Sequence, residues 1–305
     1  MKIILTGSTG FLGASLVKQL CNSEVEIIAP VRHELCSSEK SIKYKYFKDL
    51  YEVALCEGVF DKVDVFIHTA ALAHSTGISD EAFEKVNNDL TVALAQAAAK
   101  SKVKRFIFIS SIGVNGNNNS EPFTHKDEPN PEGAYAISKN NAEIKLREIA
   151  SETGLEVVII RPPLVYGKRA PGNFGALKRI AEKNLPLPLG AFHNKKSFVA
   201  VDNLIDLIIT CIKHPKAANQ TFLVSDDEDI STSKLLKKLT TATGKKPMLV
   251  SVPLWVVFLV ASFLGKREQV NKLACSLRVD IEHTKNTLNW KPLITLDEGI
   301  RRCFK

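Results

Sequence analysis

A glycine-rich turn near the first residue constrains the fold more than any other feature of this sequence. Residues 2–6 form a strand-like apolar run, and Gly7, Gly10 and Gly13 follow it directly. Glycines between a strand and a helix permit a tight turn and let the backbone approach a pyrophosphate, which the helix N-terminus attracts. The sequence therefore predicts a dinucleotide site at the start of an α/β fold.

The first half of the chain alternates apolar runs with amphipathic segments. The runs at 2–6, 25–31, 63–68, 106–110 and 156–161 predict strands, and those at 11–20 and 83–100 predict helices. Continuous apolar strands are typical of a parallel sheet that is covered on both faces. We expect a doubly wound parallel sheet of the Rossmann type.

The alternation loosens from about residue 167, where prolines become frequent. We expect a dinucleotide-binding domain over residues 1–166 and a smaller α/β substrate domain over residues 167–305. Runs at 196–203 and 221–225 predict further strands, so parts of about 196–226 are expected to return to the first domain.

Composition narrows the class of partner and the compartment. The formal net charge is +8, which fits an anionic substrate, but the lysines are scattered rather than concentrated in a stripe, so nucleic-acid binding is not expected. Six cysteines show no C-x-x-C spacing, which favours a reducing compartment over a metal or disulfide framework. With no secretory signal visible, we expect a cytoplasmic protein.

One apolar segment, at residues 249–264, needs a separate interpretation. Pro253 interrupts it, and about eleven apolar residues then follow, whereas a membrane span needs roughly twenty. We predict a buried helix or a subunit contact. The alternative is peripheral contact with anionic lipid, because Lys266 and Arg267 follow the segment.

Tyr135 and Lys139 supply a proton-transfer pair. Four residues apart, they share one face of a helix. An ammonium about 5 Å from a phenol favours the phenolate by roughly 3 kcal/mol at an effective dielectric of about 20, which equals about two pKa units. A tyrosine with such a pKa can exchange a proton with an alcohol or a ketone, so we expect an enzyme. Ser111, at the end of an apolar strand, stands where ligands meet such a sheet.

The end of the second predicted strand bears on the cofactor. An acidic residue about 20 positions after the glycines suits NAD, and an arginine suits the 2′-phosphate of NADP. Arg32 stands at that place, and the first acid after the predicted strand is Glu34. NADP(H) is therefore favoured, and NAD(H) stays possible.

At this point the chain resembles the extended short-chain dehydrogenase/reductases of the NAD-dependent epimerase/dehydratase family. The resemblance runs through nearly the whole chain, from the glycine turn to Val86-Asn87, Ser110-Ser111, Tyr135-x-x-x-Lys139, Arg161-Pro-Pro-Leu-Val-Tyr-Gly167 and Val201-Asp-Asn-Leu204. It implies that Ser111 binds the reacting sugar oxygen, Tyr135 exchanges its proton and Lys139 binds the nicotinamide ribose. The implied cofactor contacts are Gly7, Thr9, Gly10, Phe11, Leu12, Gly13, Arg32, Asp49, Leu50, Thr69, Ala70, Ala71, Asn87, Tyr135, Lys139 and Pro162.

Two reactions at C4 of a UDP-hexose are compatible with the resemblance. Sugar dehydratases of the family carry Thr-Asp-Glu where this chain has Ser111-Ile112-Gly113, which disfavours dehydration. Asn115 replaces a tyrosine of the epimerase pattern and, with Arg32, favours reduction of a UDP-4-keto-6-deoxy-N-acetylhexosamine in surface polysaccharide (O-antigen) synthesis. UDP-glucose or UDP-N-acetylglucosamine 4-epimerisation is the alternative. A non-catalytic dinucleotide-binding regulator is the non-enzymatic reading, which the retained Ser111, Tyr135 and Lys139 disfavour.

The resemblance also implies substrate anchors and a partner. Asn173 is expected at the diphosphate or the sugar, and Lys196 stands where relatives often place a phosphate-binding arginine. A second phosphate clamp is expected from Arg267 or Arg278, and the sequence does not decide between them. A homodimer through the helices near 83–100 and 135–149 is common in such proteins.

Overall fold

A seven-stranded parallel sheet forms the centre of the protein. The computed structural model describes residues 1–35, 39–73 and 77–304. The strand order is β3-β2-β1-β4-β5-β6-β9, and every neighbouring pair is parallel. The strands are β1 (Lys2–Thr6), β2 (Glu26–Val31), β3 (Ile42–Tyr46), β4 (Val65–His68), β5 (Arg105–Ile109), β6 (Glu156–Arg161) and β9 (Gln220–Leu223).

A second sheet of three strands lies beyond the first. Its order is β10-β8-β7, with strands β7 (Leu164–Tyr166), β8 (Lys196–Ala200) and β10 (Asp229–Ile230). The helices are α1 (Phe11–Leu20), α2 (Tyr51–Leu55), α3 (Asp80–Phe83), α4 (Leu90–Lys100), α5 (Ala134–Thr153), α6 (Gly172–Lys183), α7 (Val201–Lys213), α8 (Thr232–Ala242), α9 (Leu254–Phe263), α10 (Arg267–Ala274), α11 (Glu282–Leu288) and α12 (Leu296–Arg302). A π-helical segment, Glu84–Asp89, joins α3 to α4.

Helices cover both faces of the large sheet, as the sequence predicts. Ile3 and Leu5 of β1 point into one core, which α1 and α7 cover, and Ile4 points into the other, which α4 and α5 cover. All three side chains are fully buried. Strands that are buried on both faces do not alternate polar with apolar residues, so they can be predicted from their continuous apolar runs. The doubly wound fold is confirmed.

The structure differs from the predicted elements at two strands. Strand β3 was not predicted, because its sequence Ile-Lys-Tyr-Lys-Tyr alternates apolar and basic residues. It occupies the edge of the sheet and is largely exposed, so it needs no continuous apolar run. The strand expected over 196–203 ends at Ala200, where α7 begins at Val201. Strand β9 extends the large sheet beyond β6.

A buried arginine joins β5 to the end of α7. Arg105 Nη1 donates hydrogen bonds to the main-chain oxygens of Ile212, at 3.0 Å, and His214, at 3.1 Å, and also to that of Cys211. Its Nη2 forms an ion pair with Glu156 on β6. The last carbonyls of a helix have no partner within the helix. The Arg105 side chain, which is 2% exposed, satisfies two of them for α7, at Cys211 and Ile212.

A polar network joins the two sheets. The Tyr166 hydroxyl on β7 donates a 2.6 Å hydrogen bond to Asp226, which follows β9. Asp226 also accepts hydrogen bonds from the Ala200 main chain and from Asn203 on α7. Burial raises the pKa of Asp226, and these three hydrogen bonds oppose the rise.

Helix α9 corrects the prediction of a buried helix. Only Val257 and Ala261 of its ten residues are buried. Trp255 is 70% exposed and Phe263 is 85% exposed. Among the residues that the structure describes, no helix is long and apolar enough to cross a membrane.

The structure shows the state of five of the six cysteine thiols. Cys21, Cys56, Cys211, Cys275 and Cys303 are free thiols. Cys36 lies outside the described residues.

Candidate active site

The glycine turn between β1 and α1 forms a cradle of the shape that a pyrophosphate requires. Gly7 has a φ of +75°, and a Cβ there would lie 2.6 Å from Thr69 Oγ1. A Cβ on Gly13 would lie 2.0 Å from the Gly7 oxygen, so only glycine allows α1 to pack this closely on the turn. Gly10 precedes α1 without a side-chain cap, which leaves the first N–H groups of the helix available to an anion. These residues fit a dinucleotide phosphate.

The other expected cofactor residues lie around the carboxyl ends of β2, β4 and β6. Thr69, Ala70 and Ala71 follow β4, and the Thr69 hydroxyl donates to the Thr6 main-chain oxygen at 2.8 Å. Pro162 follows β6, and its oxygen accepts a hydrogen bond from Ile112. Thr9 is exposed, whereas Phe11 and Leu12 are half-buried in the first turn of α1. The turn and these strand ends occupy the same edge of the sheet.

Asn87 holds the segment after β4 against α5. Its side chain accepts from the Leu72 N–H at 2.9 Å, donates to the Leu72 oxygen at 3.1 Å and donates to Ser138 Oγ at 3.1 Å. Asn87 lies in the π-helical segment and is fully buried. It therefore fixes the position of the loop that borders the cradle.

Arg32 and Asp49 lie further out on the same edge. Arg32 is exposed directly after β2. Asp49 is exposed and accepts a 3.0 Å hydrogen bond from the Tyr51 main chain, while Leu50 is half-buried at the start of α2. Both positions are open to a ligand that extends along the strand ends.

Ser111, Tyr135 and Lys139 come together beside the cradle. Ser111 follows β5, and its hydroxyl interacts with the Tyr135 phenol and lowers the pKa of that phenol. Tyr135, in the first turn of α5, is half-buried and lies edge-on to Phe83. Lys139 is buried one turn later, where its Nζ donates to the Ile109 oxygen at 2.9 Å and lies 4.4 Å from the centre of the Phe108 ring. The three polar groups thus share one corner of the sheet edge.

Burial governs the protonation of this group, which corrects the expectation of an acidified phenol. Burial raises the pKa of Tyr135 to about 12, and the hydrogen bond from Ser111 opposes the rise. Burial also lowers the pKa of Lys139 to about 7, although the Glu143 carboxylate acts in the other direction. The lysine therefore does not outweigh the desolvation of the phenol.

A buried ion pair that the sequence analysis did not single out supports α5 from behind. Glu143 lies one turn after Lys139, and Arg161 at the end of β6 donates to it from Nε at 2.9 Å and from Nη2 at 2.6 Å. Ser110 donates to the same carboxylate at 2.6 Å. Burial alone would raise the pKa of Glu143, but the Arg161 and Ser110 hydrogen bonds outweigh it and the pKa is lowered. The spacing of Tyr135, Lys139 and Glu143 at intervals of four is the signal that indicates this shared face.

Asn115 belongs to this ion-pair network. It is 2% exposed, and its Oδ1 accepts a 2.8 Å hydrogen bond from Arg161 Nη1. Its Nδ2 is directed to the Thr124 oxygen at 3.4 Å. The residue that replaces a tyrosine of the epimerase pattern therefore bonds to the protein interior.

His68 is a second polar residue that the sequence analysis did not single out as ionisable. It is 1% exposed at the end of β4, its Nδ1 lies 2.7 Å from Thr6 Oγ1, and its ring stacks on Phe108. Nε2 has no hydrogen-bond partner among the described residues. Burial lowers the pKa of His68 to about 3, and the charge of Lys139 adds to this effect. The ring is therefore neutral at physiological pH.

Two of the four expected substrate anchors lie on adjacent backbone segments. Lys196, the first residue of β8, pairs with Leu277, and Arg278 follows Leu277. The Arg278 guanidinium contacts the Ser120 oxygen and lies 3.9 Å from Glu121. Lys196 donates from Nζ to the Lys272 oxygen at 2.5 Å, and burial lowers the pKa of its amine against the effect of Cys275. Their backbone segments are adjacent, but the two side chains contact different parts of the chain, Lys196 at Lys272 and Arg278 at Ser120.

The other two anchors are exposed. Asn173 lies in the first turn of α6. Arg267 opens α10 and lines a surface cavity of about 640 Å³ with Phe258, Glu268 and Asn271. Within the described part of the chain, neither residue forms a hydrogen bond or ion pair with Lys196 or Arg278.

Comparison with known proteins gives a consistent result. Residues 3–225 match the model of the NAD dependent epimerase/dehydratase family. A protein of Vibrio cholerae named UDP-glucose 4-epimerase is 42% identical over 308 residues, which cover 98% of this chain and 93% of that protein.

Solved structures share the fold at lower identity. The UDP-glucose 4-epimerase of Thermotoga maritima, solved with UDP-glucose, superposes with a TM-score of 0.79 at 22% identity and covers 99% of this chain and 97% of that one. The UDP-glucuronic acid 4-epimerase of Bacillus cereus, solved with NAD, gives a TM-score of 0.81 at 19% identity, with 99% and 94% covered. At such identities the likeness establishes the fold.

Proposed function

Because the chain belongs to the NAD dependent epimerase/dehydratase family, we propose that it is a UDP-hexose 4-epimerase. The observation that carries the proposal is the meeting of Ser111, Tyr135 and Lys139 beside the phosphate cradle. The 42% identity to a protein named UDP-glucose 4-epimerase, along almost the full length of both chains, supports this choice over reduction.

The reaction assigns one task to each residue of the corner. The glycine turn would hold a nicotinamide cofactor, which when bound would supply the hydride chemistry at C4 of the sugar. Tyr135 would take the proton of the C4 hydroxyl and return it, because its half-buried phenol is open to the cleft. Ser111 would hold the same sugar oxygen, and its hydrogen bond already favours the phenolate of Tyr135. Protonated Lys139 would stabilise that phenolate.

We propose that the diphosphate binds near Lys196 and Arg278, whose backbone segments are adjacent. A guanidinium is able to bind a phosphoryl group in a bidentate manner, which a lysine is not. Arg278 is therefore our choice over Arg267, which lies on the exposed α10. Asn173 keeps its proposed contact with the sugar or the diphosphate.

Reduction of a UDP-4-keto sugar is the second candidate, and it rests on Arg32 and Asn115. Arg32 is exposed at the end of β2, where it is open to the 2′-phosphate of an exchangeable NADPH. Asn115 is hydrogen-bonded to Arg161 in the protein interior, so the sugar meets no hydroxyl at the position where the epimerase pattern has a tyrosine. We propose a preference for NADP(H) only together with this second function.

A homodimer through α4 and α5 is part of the proposal. Ile137 and Ile144 on α5 are 43% and 45% exposed, which leaves an apolar stripe on the outside of this helix pair.

Product formation without added reductant tests the proposal. Purified protein is incubated with UDP-glucose or UDP-N-acetylglucosamine, and the C4 epimer is quantified by chromatography. We expect the epimer to form with catalytic NAD alone. Conversion that occurs only with UDP-4-keto sugars and stoichiometric NADPH would replace the epimerase with the reductase.

Replacement of the phenol tests the role of Tyr135. The variant Tyr135→Phe is expected to lose turnover by at least 100-fold, because general acid–base catalysis contributes on the order of 10² to 10⁴. NAD binding, measured by fluorescence titration, should stay within about threefold. Tyr44→Phe, a half-buried tyrosine on β3, is the matched control and should keep both properties. Turnover that survives in Tyr135→Phe contradicts the assignment.

A further inference from the structure

Helix α9 presents an apolar surface that the described part of the protein leaves uncovered. Val257 and Ala261 are its buried residues, and Val256 and Phe258 are half-buried. We call the outward set the α9 surface; it consists of Leu254, Trp255, Leu259, Val260, Phe263 and Leu264, which are 37%, 70%, 51%, 51%, 85% and 65% exposed. Six exposed large apolar side chains within eleven residues form a contiguous patch, and such patches mark interaction sites, unlike single exposed residues.

Neighbouring segments extend the patch. The strand-like pairing of Leu187 with Leu249 places Met248 and Val250 beside the loop that follows α6, and the Val250 N–H donates to the Leu187 oxygen at 2.8 Å. Met248, Val250 and Leu185 are 48%, 52% and 56% exposed. The backbone of this border is held in place by hydrogen bonds, so the exposed residues are presented on an ordered support.

The charges around the patch have one sign at both ends. Residues 247–265 contain no aspartate, glutamate, lysine or arginine. Lys245 and Lys246 precede them, and Lys266 and Arg267 follow; all four are exposed. The nearest following acid, Glu268, is paired with Lys272 at 2.6 Å. The patch is thus apolar at its centre and cationic at its rim.

This combination matches one kind of partner. A lipid bilayer with anionic headgroups offers an apolar interior below a negatively charged plane, and tryptophan favours the boundary between them. A protein partner would need acidic groups on both sides of an apolar groove, whereas a membrane provides them in every direction around the patch. With ten residues, α9 is about 15 Å long and therefore lies along a bilayer rather than across it.

We propose that the α9 surface, with its rim of Lys245, Lys246, Lys266 and Arg267, docks the protein on an anionic phospholipid membrane. Trp255, Leu259 and Phe263 enter the boundary between headgroups and acyl chains, and the lysines contact the phosphates. The active-site corner takes no part in this contact. The inference stands on the surface alone and does not depend on which C4 reaction the protein catalyses.

Co-sedimentation with vesicles tests the proposal. The full chain is mixed with vesicles of phosphatidylcholine or of phosphatidylcholine and phosphatidylglycerol at a ratio of about 7 to 3. We expect binding to the anionic vesicles that is at least tenfold tighter than to the neutral ones and that falls at 0.5 M salt. Failure to bind the anionic vesicles, or equal binding to both kinds, overturns the proposal.

Tryptophan fluorescence reports the site of contact. The chain has two tryptophans, and Trp290 is 5% exposed and donates to Asp206 at 2.7 Å. Quenching by brominated lipid should therefore come from Trp255, and Trp255→Tyr should abolish most of it. Quenching that is unchanged in Trp255→Tyr places the contact elsewhere and rejects α9.

Matched surface variants distinguish binding through α9 from non-specific hydrophobic adsorption to vesicles. Leu259→Ser with Phe263→Ser should weaken vesicle binding at least tenfold, whereas Leu55→Ser, at an 82% exposed leucine on α2, should not. Turnover of soluble substrate should be equal in all three proteins, because the altered residues are exposed and remote in sequence from the active-site corner. Equal binding by both variants contradicts the proposal.

Substitution of the rim lysines tests the preference for anionic lipid. Lys245→Gln, Lys246→Gln and Lys266→Gln together should remove the preference for anionic vesicles, and Lys102→Gln, Lys213→Gln and Lys216→Gln together should keep it.

Sedimentation velocity tests the competing possibility that a second copy of the chain covers the α9 surface. If Leu259→Ser with Phe263→Ser dissolves a dimer of the wild type that does not bind vesicles, the surface belongs to a second copy of the chain.

Discussion

At the scale of single residues, protonation in this site follows burial. Tyr135 keeps its proton and Lys139 gives its proton up more easily than a lysine in water, since both lose solvent at the end of the sheet. Catalysis then needs an additional positive charge near the phenol, which the oxidised nicotinamide ring of a bound cofactor would supply.

His68 makes this effect measurable as stability. Its pKa is about 3 in the folded protein and about 6.5 in an unfolded chain, so between these values the unfolded state binds the additional proton. The free energy of unfolding therefore falls as the pH falls below about 6.5, by up to about 1.4 kcal/mol per pH unit for this group. Above that pH, His68 adds no pH dependence.

Replacing the imidazole should flatten this dependence. We expect His68→Asn to show a smaller loss of stability between pH 7.5 and pH 5 than the wild type, measured by urea unfolding at each pH. His125 and His283, whose pKa values burial also lowers, contribute equally to both proteins. His33→Asn, at an exposed histidine, is the control and should match the wild type. Identical slopes for His68→Asn and the wild type would refute the assignment.

At the scale of elements, the sequence predicts an element when its burial or its backbone contacts restrict the residue types that it can contain. The glycine turn and the apolar strands β1, β4 and β6 could be predicted from the sequence. A close backbone contact allows only glycine in the turn, and burial on both faces of the sheet allows only apolar residues in the strands. Strand β3 could not be predicted, since an edge strand with one exposed face tolerates lysines. The end of β8 is not predicted either, because the apolar run at 198–201 continues unchanged from strand into helix.

The candidate site divides in the same way. Ser111, Tyr135 and Lys139 were named from sequence because their spacing restricts the chemistry. Glu143, Arg161 and His68 act through partners that the chain brings together over long separations, such as Arg161 with Asn115, 46 residues apart. Such pairings follow from the packing of α5 on the sheet, which no local pattern encodes.

The close packing of α1 on the glycine turn leads to a prediction. Gly13→Ala should weaken NAD and NADH binding at least tenfold, because its Cβ would lie 2.0 Å from the Gly7 oxygen and must displace the helix N-terminus. Isothermal titration measures the affinity. Gly58→Ala is the matched control, since a Cβ there has no neighbour within 4 Å. Retained affinity in Gly13→Ala would show that the phosphates bind elsewhere.

At the scale of the whole molecule, Tyr166 connects the two sheets. Its hydroxyl reaches Asp226 after β9 from β7 of the smaller sheet, and Asp226 in turn holds the start of α7. The carboxylate is buried, so a lost partner leaves desolvated charge. The junction between the sheets is therefore polar and satisfied.

Removing the Tyr166 hydroxyl should destabilise the protein. For Tyr166→Phe we expect a loss of about 1–3 kcal/mol in the free energy of unfolding, the cost of leaving a buried acceptor unpaired. Urea unfolding followed by circular dichroism gives the value. Tyr46→Phe, at a 53% exposed tyrosine, should be within about 0.5 kcal/mol of the wild type. A loss as small as that of the control would mean that Asp226 does not depend on Tyr166.

The side chain of Arg105 has a consequence for biosynthesis. Its carbonyl partners at Cys211, Ile212 and His214 leave the ribosome more than a hundred residues after it does, and β9, which borders β6, follows them. The guanidinium at the start of β5 therefore gains its full set of partners only after residues 211–214 have been synthesised, and the large sheet is completed only when β9 follows them.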